Sequence, residues 1–309
     1  MTRRFDLPEQ HGLPTHASGA KVGILAGWGR YPLVVAEGMR RQGLRVYCLG
    51  VKDHADPGLA EVCDDFQWVG LPRLGRAIRY FRRHGVHNIT MVGKIHKFLL
   101  FQPWVWFKHL PDLRTLRRFY PHFVASRKDR KDDTLLLAIV AEFASADITF
   151  APATDFVPEL LVKFGNLTRR DPSAAQRKDI EFGWTVAKEI GRLDIGQSVA
   201  IKGRATLAVE ALEGTDECIR RAGQLCSAGG FTVVKVAKPQ QDMRFDVPTI
   251  GMGTLETMVE AGASCLAIEA GRTIVIDQAE VVRFADRHRL AIVAVSAAGA
   301  LPESVEEAA

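Results

Sequence analysis

The sequence has little cysteine, and its spacing does not suggest a metal knuckle or a disulfide framework. The five cysteines are odd in number, and no two of them form a C-x-x-C pair. They are Cys48, Cys63, Cys218, Cys226 and Cys265. This pattern argues against a zinc knuckle and favours a reducing cytosol over an oxidising compartment.

Long apolar runs are also missing. The longest nearly apolar stretch, residues 135–141, is far shorter than the ~20 residues that a membrane-spanning helix needs. The first 20 residues contain charges, histidines and prolines but no apolar core, which argues against a signal peptide. We therefore expect a loose extension over residues 1–20 and a cytoplasmic protein without a membrane span.

Several hydrolase signatures are absent. Eight of the nine histidines lie in the first half, and no H-x-x-x-H pair occurs, which argues against a histidine-rich dinuclear metallophosphatase centre. The sequence has neither the glutamate-rich helix of a Nudix pyrophosphatase nor a G-x-S-x-G elbow. Any hydrolase activity must therefore use another arrangement of residues.

The composition is that of a folded α/β protein. Apolar residues make up 47% of the 309 and charged residues 25%, and this length suggests two domains. Short apolar strands alternate with helical segments from Lys21 onwards, which predicts parallel sheets covered by helices. We expect a Rossmann-like N-terminal domain over residues 21–150 and a catalytic α/β domain over residues 151–309. Within the latter, capping boxes are predicted at 173–176 and 277–280.

Charge is distributed unevenly between the two halves. Residues 1–150 hold 23 Lys and Arg against 14 Asp and Glu, whereas residues 151–309 hold 18 against 22. Residues 73–131 contain 15 basic residues and only two acids, Asp112 and Asp129. A concentrated basic field predicts an anionic partner, which is nucleic acid, a phosphorylated substrate or an anionic membrane surface.

A glycine turn follows the first predicted strand. Gly27 and Gly29 stand between that strand and a helix, as in nucleotide-binding turns, where glycines let the backbone approach a phosphate. The third glycine of the dinucleotide motif is replaced by Pro32, and the expected ribose-binding acid is missing from the second strand. A redox nucleotide site, a plain tight turn and a phosphate contact all remain open.

A basic aromatic segment covers residues 94–120. Tryptophans and phenylalanines alternate there with lysines and arginines. Such a mixture is typical of single-stranded nucleic-acid binding and of membrane-interface segments, and a half-buried helix pair with a solvated basic face produces it as well. The composition does not choose among these three.

Charged residues in the second half suggest a site for a phosphorylated ligand. Glu210, Glu213 and Asp216 surround the end of a predicted strand and the start of a helix. A second polar stretch, residues 235–249, contains two lysines, an arginine and two aspartates after another strand. Cations there would neutralise phosphate charge and carboxylates would hold a hard ion such as Mg²⁺, although a surface ion-pair loop is the alternative.

Six runs of sequence carry a specific resemblance. They are LAGWGRYP at 25–32, KDDTLL at 131–136, EIGRLDIGQ at 189–197, AVEALEGTD at 208–216, KPQQDMRFDVPTIG at 238–251 and EAGRTIVID at 269–277. Together they resemble the UDP-2,3-diacylglucosamine pyrophosphatase family of lipid A synthesis, the type unrelated to calcineurin-like and Nudix hydrolases. The match extends in one order from Lys21 to Val295, with Lys131 standing where a glycine is usual.

The resemblance implies an activity. It implies a two-domain homodimer that hydrolyses UDP-2,3-diacylglucosamine to UMP and 2,3-diacylglucosamine 1-phosphate with Mg²⁺, Mn²⁺ being a possible substitute. It also implies a peripheral position on the cytoplasmic face of the inner membrane, and no nucleic-acid partner. Asp246 matches the family's critical aspartate, and we expect it to act as metal ligand or as the base that orients water.

The expected site follows from these motifs. For the metal we expect Asp246, Asp216 and Glu213. For the substrate we expect Gly27, Gly29, Arg30, Gly93, Lys94, Gln197, Gly214, Thr215, Lys235, Lys238 and Arg244. Lys235, Lys238 or Arg244 would stabilise charge that develops when water attacks a pyrophosphate phosphorus. The alternatives are a nucleotide-dependent oxidoreductase that uses the Gly27 turn and a non-catalytic module that binds membrane or nucleic acid.

Overall fold

The structure is a computed structural model, and it describes residues 18–70, 73–94 and 132–303, with side chains from residue 136 in the last range. The predicted extension up to residue 17, residues 95–120 of the basic aromatic segment and Lys131 lie outside the described residues. The chain divides into two compact units, Met1–Pro158 and Glu159–Ala309, which we describe separately. A 3₁₀ turn, Pro158–Leu160, spans the division.

The first unit is built on a parallel sheet. Its strands are β1 (Lys21–Ala26), β2 (Arg45–Val51), β3 (Asp65–Val69), β4 (Asn88–Val92) and β5 (Thr149–Phe150). Its helices are α1 (Tyr31–Arg41), α2 (Leu59–Val62), α3 (Leu74–His84), α4 (Asp132–Ala144) and α5 (Ala153–Phe156). The strand order is β3-β2-β1-β4-β5, and every pairing is parallel.

This order creates a topological switch point between β1 and β4. The chain proceeds from β1 to one side of the sheet and returns to β4 on the other side, so the carboxyl ends of these two strands flank a crevice. The glycine turn at Gly27 follows β1, and Gly93 follows β4. The predicted Rossmann-like sheet is thus confirmed.

The second unit contains a mixed sheet. Its strands are β6 (Gly165–Asn166), β7 (Ser198–Lys202), β8 (Ala205–Val209), β9 (Phe231–Lys235), β10 (Thr249–Ile250), β11 (Ala263–Glu269), β12 (Ile274–Val275) and β13 (Ala291–Val295). Its helices are α6 (Ala174–Arg192), α7 (Thr215–Leu225), α8 (Met252–Glu260) and α9 (Gln278–Arg287). The main sheet has the order β6-β13-β11-β9-β7-β8, and β10 pairs with β12.

The direction of β7 determines which residues share an edge of this sheet. Strands β9, β11 and β13 are parallel, whereas β7 is antiparallel to both β9 and β8. The start of β7 therefore lies beside the ends of its neighbours, and Ser198 pairs with Lys235 while Val199 pairs with Val209. Loops at this edge carry the polar residues that the sequence singles out.

Two hydrophobic cores, one on each face of the main sheet of the second unit, explain why its central strands are continuous apolar runs in the sequence. Alternate residues of β9 enter different clusters, with Val233 on one face of the sheet and Val234 on the other. Both faces are thus covered, as expected for strands between two helical layers. No helix in the described ranges combines the length and the apolarity that crossing a bilayer requires.

Helix starts in this unit test the two predicted capping boxes. Ser173 and Gln176 exchange side-chain and backbone hydrogen bonds at the start of α6, which confirms the first. The second prediction is wrong, because Asp277 adopts a left-handed conformation with φ of 51° and its side chain makes no capping bond. Helix-capping side chains typically come from a residue with extended backbone, whereas the backbone of Asp277 is left-handed.

Candidate functional site at the carboxyl ends of the strands

The glycines of the first unit lie where two loops approach closely. The Gly27 N–H donates to the Val92 carbonyl over 2.8 Å, and Trp28 and Lys94 exchange backbone hydrogen bonds of 2.8 and 3.0 Å. A Cβ on Gly27 would lie 2.7 Å from the Lys94 carbonyl oxygen, and Gly93 has φ of 94°. The two loops therefore need glycine for their own packing, whether or not a phosphate binds beside them.

The rest of this turn faces outward. Gly29 has φ of 105°, and a Cβ there would meet no atom within 4 Å. Arg30 stands at the N-cap of α1, and its guanidinium lies 4.0 Å from Glu37. The structure thus brings Gly27, Gly93 and Lys94 together at the switch point, with Arg30 exposed on the same turn.

A buried polar cluster lies at the loop edge of the second sheet. Lys235 ends β9 and is 6% exposed, and its Nζ donates to Thr215 Oγ1 over 3.0 Å and to the Thr249 carbonyl over 3.1 Å. The Thr215 hydroxyl donates in turn to Glu210 Oε1 over 3.0 Å and lies 3.3 Å from Ser198 Oγ. We call Ser198, Glu210, Thr215 and Lys235 the lysine cluster.

Glu210 was noted in the sequence as one of three neighbouring carboxylates but was not among the expected metal or substrate residues. It is 7% exposed, and its second oxygen, Oε2, has no hydrogen-bond partner within the described residues. A buried carboxylate is costly unless it is compensated, and the Thr215 hydroxyl supplies a hydrogen bond to one of the two Glu210 oxygens. The position of Glu210 directly after β8 was visible in the sequence, but its connection to Lys235 through the Thr215 hydroxyl depends on the antiparallel path of β7.

The loop after β9 carries two further predicted cations, and both are paired. Lys238 Nζ lies 2.7 Å from Asp194 Oδ1. Gln241 connects this region to Gln197, with 3.4 Å between their side-chain amides. Arg244 contacts both carboxylate oxygens of Asp242, the shortest distance being 2.6 Å, and this hydrogen bonding holds the pKa of Asp242 below its usual value.

The three predicted metal ligands differ in their surroundings. Asp246 is exposed, and its side chain makes no hydrogen bond or ion pair within the described residues. Asp216 accepts a hydrogen bond from Thr254 over 3.0 Å. Glu213 is occupied by Arg221 at 2.8 Å and by the Ala211 N–H at 3.1 Å. Across the described ranges, no three Asp, Glu, His or Cys residues are grouped so as to hold a metal ion.

An ion pair between a buried carboxylate and a partly exposed lysine fixes the start of the same loop. Glu269 at the end of β11 is 1% exposed, and its Oε2 accepts from Lys188 over 2.6 Å and from the Ala237 N–H over 2.8 Å. Lys188 also donates to the Ala237 carbonyl over 3.2 Å. The pair therefore holds the backbone just before Lys238, a role that the sequence did not reveal because its three members are 32 or more residues apart.

The chain resembles known proteins over most of its length. The family model of the LpxI N-terminal domain matches residues 21–160, and that of the LpxI C-terminal domain matches residues 163–293. A relative named UDP-2,3-diacylglucosamine pyrophosphatase LpxI, from Caulobacter vibrioides, is 32% identical over 277 residues. The alignment covers 86% of this chain and 94% of that protein.

Proposed function

The chain belongs to the LpxI family, and we propose that it hydrolyses the pyrophosphate bond of UDP-2,3-diacylglucosamine to UMP and 2,3-diacylglucosamine 1-phosphate in lipid A synthesis. Both family domains are matched, the N-terminal one before the C-terminal one. The alignment with the Caulobacter relative of that name covers nearly the whole length of that protein. The proposal thus concerns the full chain and not one module of it.

The lysine cluster is the observation that supports this activity best. Lys235 has its ammonium fixed by a hydroxyl and a carbonyl oxygen at the loop edge of the sheet. A preorganised cation in a place where bulk water is scarce stabilises developing negative charge better than a mobile surface lysine does. We propose that Lys235 stabilises the negative charge that develops on the pyrophosphate as water attacks. Thr215 and Glu210 would position the Lys235 ammonium.

Exposed groups on the following loop suit the anionic parts of the substrate. The ion pairs of Lys238 with Asp194 and of Arg244 with Asp242 are partly exposed, and such pairs contribute little stability. They can therefore be exchanged for contacts to phosphate at small cost. Gln197 and the helix start at Gly214 and Thr215 complete the substrate contacts that we propose in this unit.

The donor set of this unit fits Mg²⁺ or Mn²⁺. Mg²⁺ in phosphoryl-transfer sites is usually held by one or two carboxylates together with substrate phosphates, so a cage of three protein ligands is not required. Asp246 has an exposed carboxylate with no side-chain partner among the described residues, and Asp216 uses one oxygen for Thr254. Glu213 would first have to release Arg221. When bound, the ion would neutralise pyrophosphate oxygens.

Asp246 has a second proposed role beside metal binding. Its carboxylate can accept a proton from, or orient, the attacking water, and it lies in the loop whose start Glu269 and Lys188 fix at Ala237. In the first unit, we propose that Gly27, Gly29, Arg30, Gly93 and Lys94 contact the anionic part of the substrate. We further propose a homodimer that associates peripherally with the cytoplasmic face of the inner membrane.

The test is UMP release from UDP-2,3-diacylglucosamine by the purified full chain. EDTA should abolish turnover, and Mg²⁺ or Mn²⁺ should restore it. Asp246→Asn keeps the shape of the side chain but removes its charge, so turnover should fall on the order of 100-fold or more while substrate binding persists. The matched control is Asp242→Asn four residues earlier, which we expect to be milder because Asp242 engages Arg244.

Three outcomes would contradict the proposal. One is a preparation that releases no UMP from this substrate under any metal condition. Another is full turnover in metal-free buffer, which would remove the metal role. The third is a folded Asp246→Asn protein with near-normal turnover, folding being checked by its melting temperature.

A further inference from the structure

One face of α3 carries only positive charge. Arg76, Arg79, Arg82 and Arg83 are all exposed, whereas Leu74, Ala77, Ile78 and Phe81 on the opposite side are buried against the sheet. From residue 73 to residue 94 the chain has six Lys and Arg and no Asp or Glu. Surface helices usually mix both signs at i, i+3 and i+4, and this one does not.

The sheet adds two distant cations to the same side. Lys21 and Arg45 begin β1 and β2, are paired in register and are both exposed. Lys21 Nζ donates to the His84 carbonyl at the end of α3 over 2.9 Å. Arg45 shares its side of β2 with Tyr47, whose ring lies 4.8 Å from that of His84. We call Lys21, Arg45, Arg76, Arg79, Arg82 and Arg83 the arginine face.

Repulsion between like charges along α3 opposes this arrangement in the free protein. Arg79 is three residues from Arg76 and Arg82 and four from Arg83, and each like-charged pair at these spacings costs about 0.2–0.5 kcal/mol. The helix dipole disfavours a cation at Arg76 in the first turn and favours cations at Arg82 and Arg83 in the last turn. The carboxylate of Asp65 lies 3.6 Å from the ring of His84, but Arg79, Arg82 and Arg83 form no ion pair within the described residues.

We propose that the arginine face docks the protein on a bilayer surface rich in anionic phospholipid. This rests on the proposed function, because a diacylated substrate resides in a bilayer. Guanidinium groups bind phosphate bidentately, and an anionic surface removes the mutual repulsion along α3. Since the apolar side of α3 is buried in its own sheet, the face contacts headgroups and does not insert. A single strand of nucleic acid is the other polyanion to test.

The test measures sedimentation of the full chain with substrate-free vesicles of phosphatidylglycerol and phosphatidylcholine. The variant combines Arg79→Gln, Arg82→Gln and Arg83→Gln. Each basic residue near such a surface contributes about fivefold to partitioning, so the variant should bind on the order of 100-fold more weakly. The matched control removes three charges from exposed helix positions of the second unit, with Lys178→Gln, Arg283→Gln and Arg287→Gln.

The proposal holds if the wild type and the control bind mixed vesicles alike, neither binds pure phosphatidylcholine, and the α3 variant loses binding. It is overturned if the α3 variant binds as the wild type does, or if the control loses as much. It is also overturned if the α3 variant loses only its binding to a single-stranded oligonucleotide. Hydrolysis of detergent-solubilised substrate should be unchanged in the α3 variant. Absent hydrolysis with normal vesicle behaviour would refute the proposed function and leave the docking surface standing.

Discussion

The hydroxyl of Thr215 should be worth more than a surface threonine hydroxyl, because it connects three buried groups. It accepts from Lys235 over 3.0 Å, donates to Glu210 over 3.0 Å and lies 3.3 Å from Ser198. Thr215→Val removes this oxygen while it preserves the branched shape at Cβ. Lys235 would keep the Thr249 carbonyl, but Glu210 would be left with neither oxygen bonded in the described residues.

The size of the effect follows from the charges of the partners. A hydrogen bond to a charged group contributes about 1.5–3 kcal/mol, and Lys235 and Glu210 are each less than 10% exposed, so bulk water does not replace the lost partner. We therefore expect Thr215→Val to lower the free energy of unfolding by about 3 kcal/mol, or the melting temperature by on the order of 10 °C. Thr215→Ser keeps the hydroxyl and should cost less than about 1 kcal/mol.

A double-mutant cycle with Lys235→Met isolates the contact itself. The two substitutions should be non-additive by about 0.5–3 kcal/mol in thermal or urea unfolding, because each removes the same hydrogen bond. Turnover of UDP-2,3-diacylglucosamine, measured on the folded fraction, should fall in Thr215→Val and recover in Thr215→Ser. A Thr215→Val protein that melts within a degree of the wild type, or a coupling near zero, would refute the reasoning.

Three further predictions concern the surroundings of the two sites. Glu269→Gln leaves the partly exposed Lys188 ammonium without its counter-charge and should lower the free energy of unfolding in urea by about 1.5–3 kcal/mol; a loss below about 0.5 kcal/mol would contradict the role of this pair in holding the start of the loop. Because Arg244 lowers the pKa of Asp242 in the folded state, the pair stabilises the protein above the unfolded pKa of about 3.9 and ceases to as pH falls through the folded pKa. The stability difference between wild type and Asp242→Asn, below about 1 kcal/mol because the pair is partly exposed, should thus be present at pH 6 and shrink as pH falls below about 3.9. Gly93→Ala, at φ of 94°, should lower the free energy of unfolding by about 1–3 kcal/mol, and an unchanged melting temperature would contradict it.

The sheet of the first unit could be predicted because its signals are local. Apolar runs at β1 and β4 end in turn residues, and α3 ends at Gly85, which adopts φ of 67° as a C-cap. Strand β3 could not be predicted in this way. It lies at the edge of the sheet, and its sequence, DFQWV, is buried only at Val69 and half-buried at the first two positions. A strand that covers little core carries little periodic signal.

The lysine cluster could not be predicted, because its members are brought together from distant parts of the sequence. Thr215 and Lys235 were predicted as separate substrate contacts, and the sequence showed neither that they touch nor that Glu210 joins them. Their meeting depends on strand directions, since only an antiparallel β7 places Ser198 opposite Lys235. The hydrophobic pattern identifies β7 as a strand but does not give its direction. The sequence therefore did not reveal that these polar residues lie next to one another.

The three predicted cations have different partners, and this difference suggests different roles for them. Lys238 and Arg244 are held by the half-exposed or exposed carboxylates of Asp194 and Asp242, and such pairs are screened by salt and exchange their partners readily. Lys235 is nearly buried, and its Nζ donates to the Thr215 hydroxyl and the Thr249 carbonyl, so contacts within the fold set its position before any substrate arrives. A phosphate that approaches this edge would therefore meet two cations that adjust to it and one already in place. Preorganisation matters most where charge develops in the transition state, which is why we place Lys235, and not its neighbours, at the reacting phosphorus.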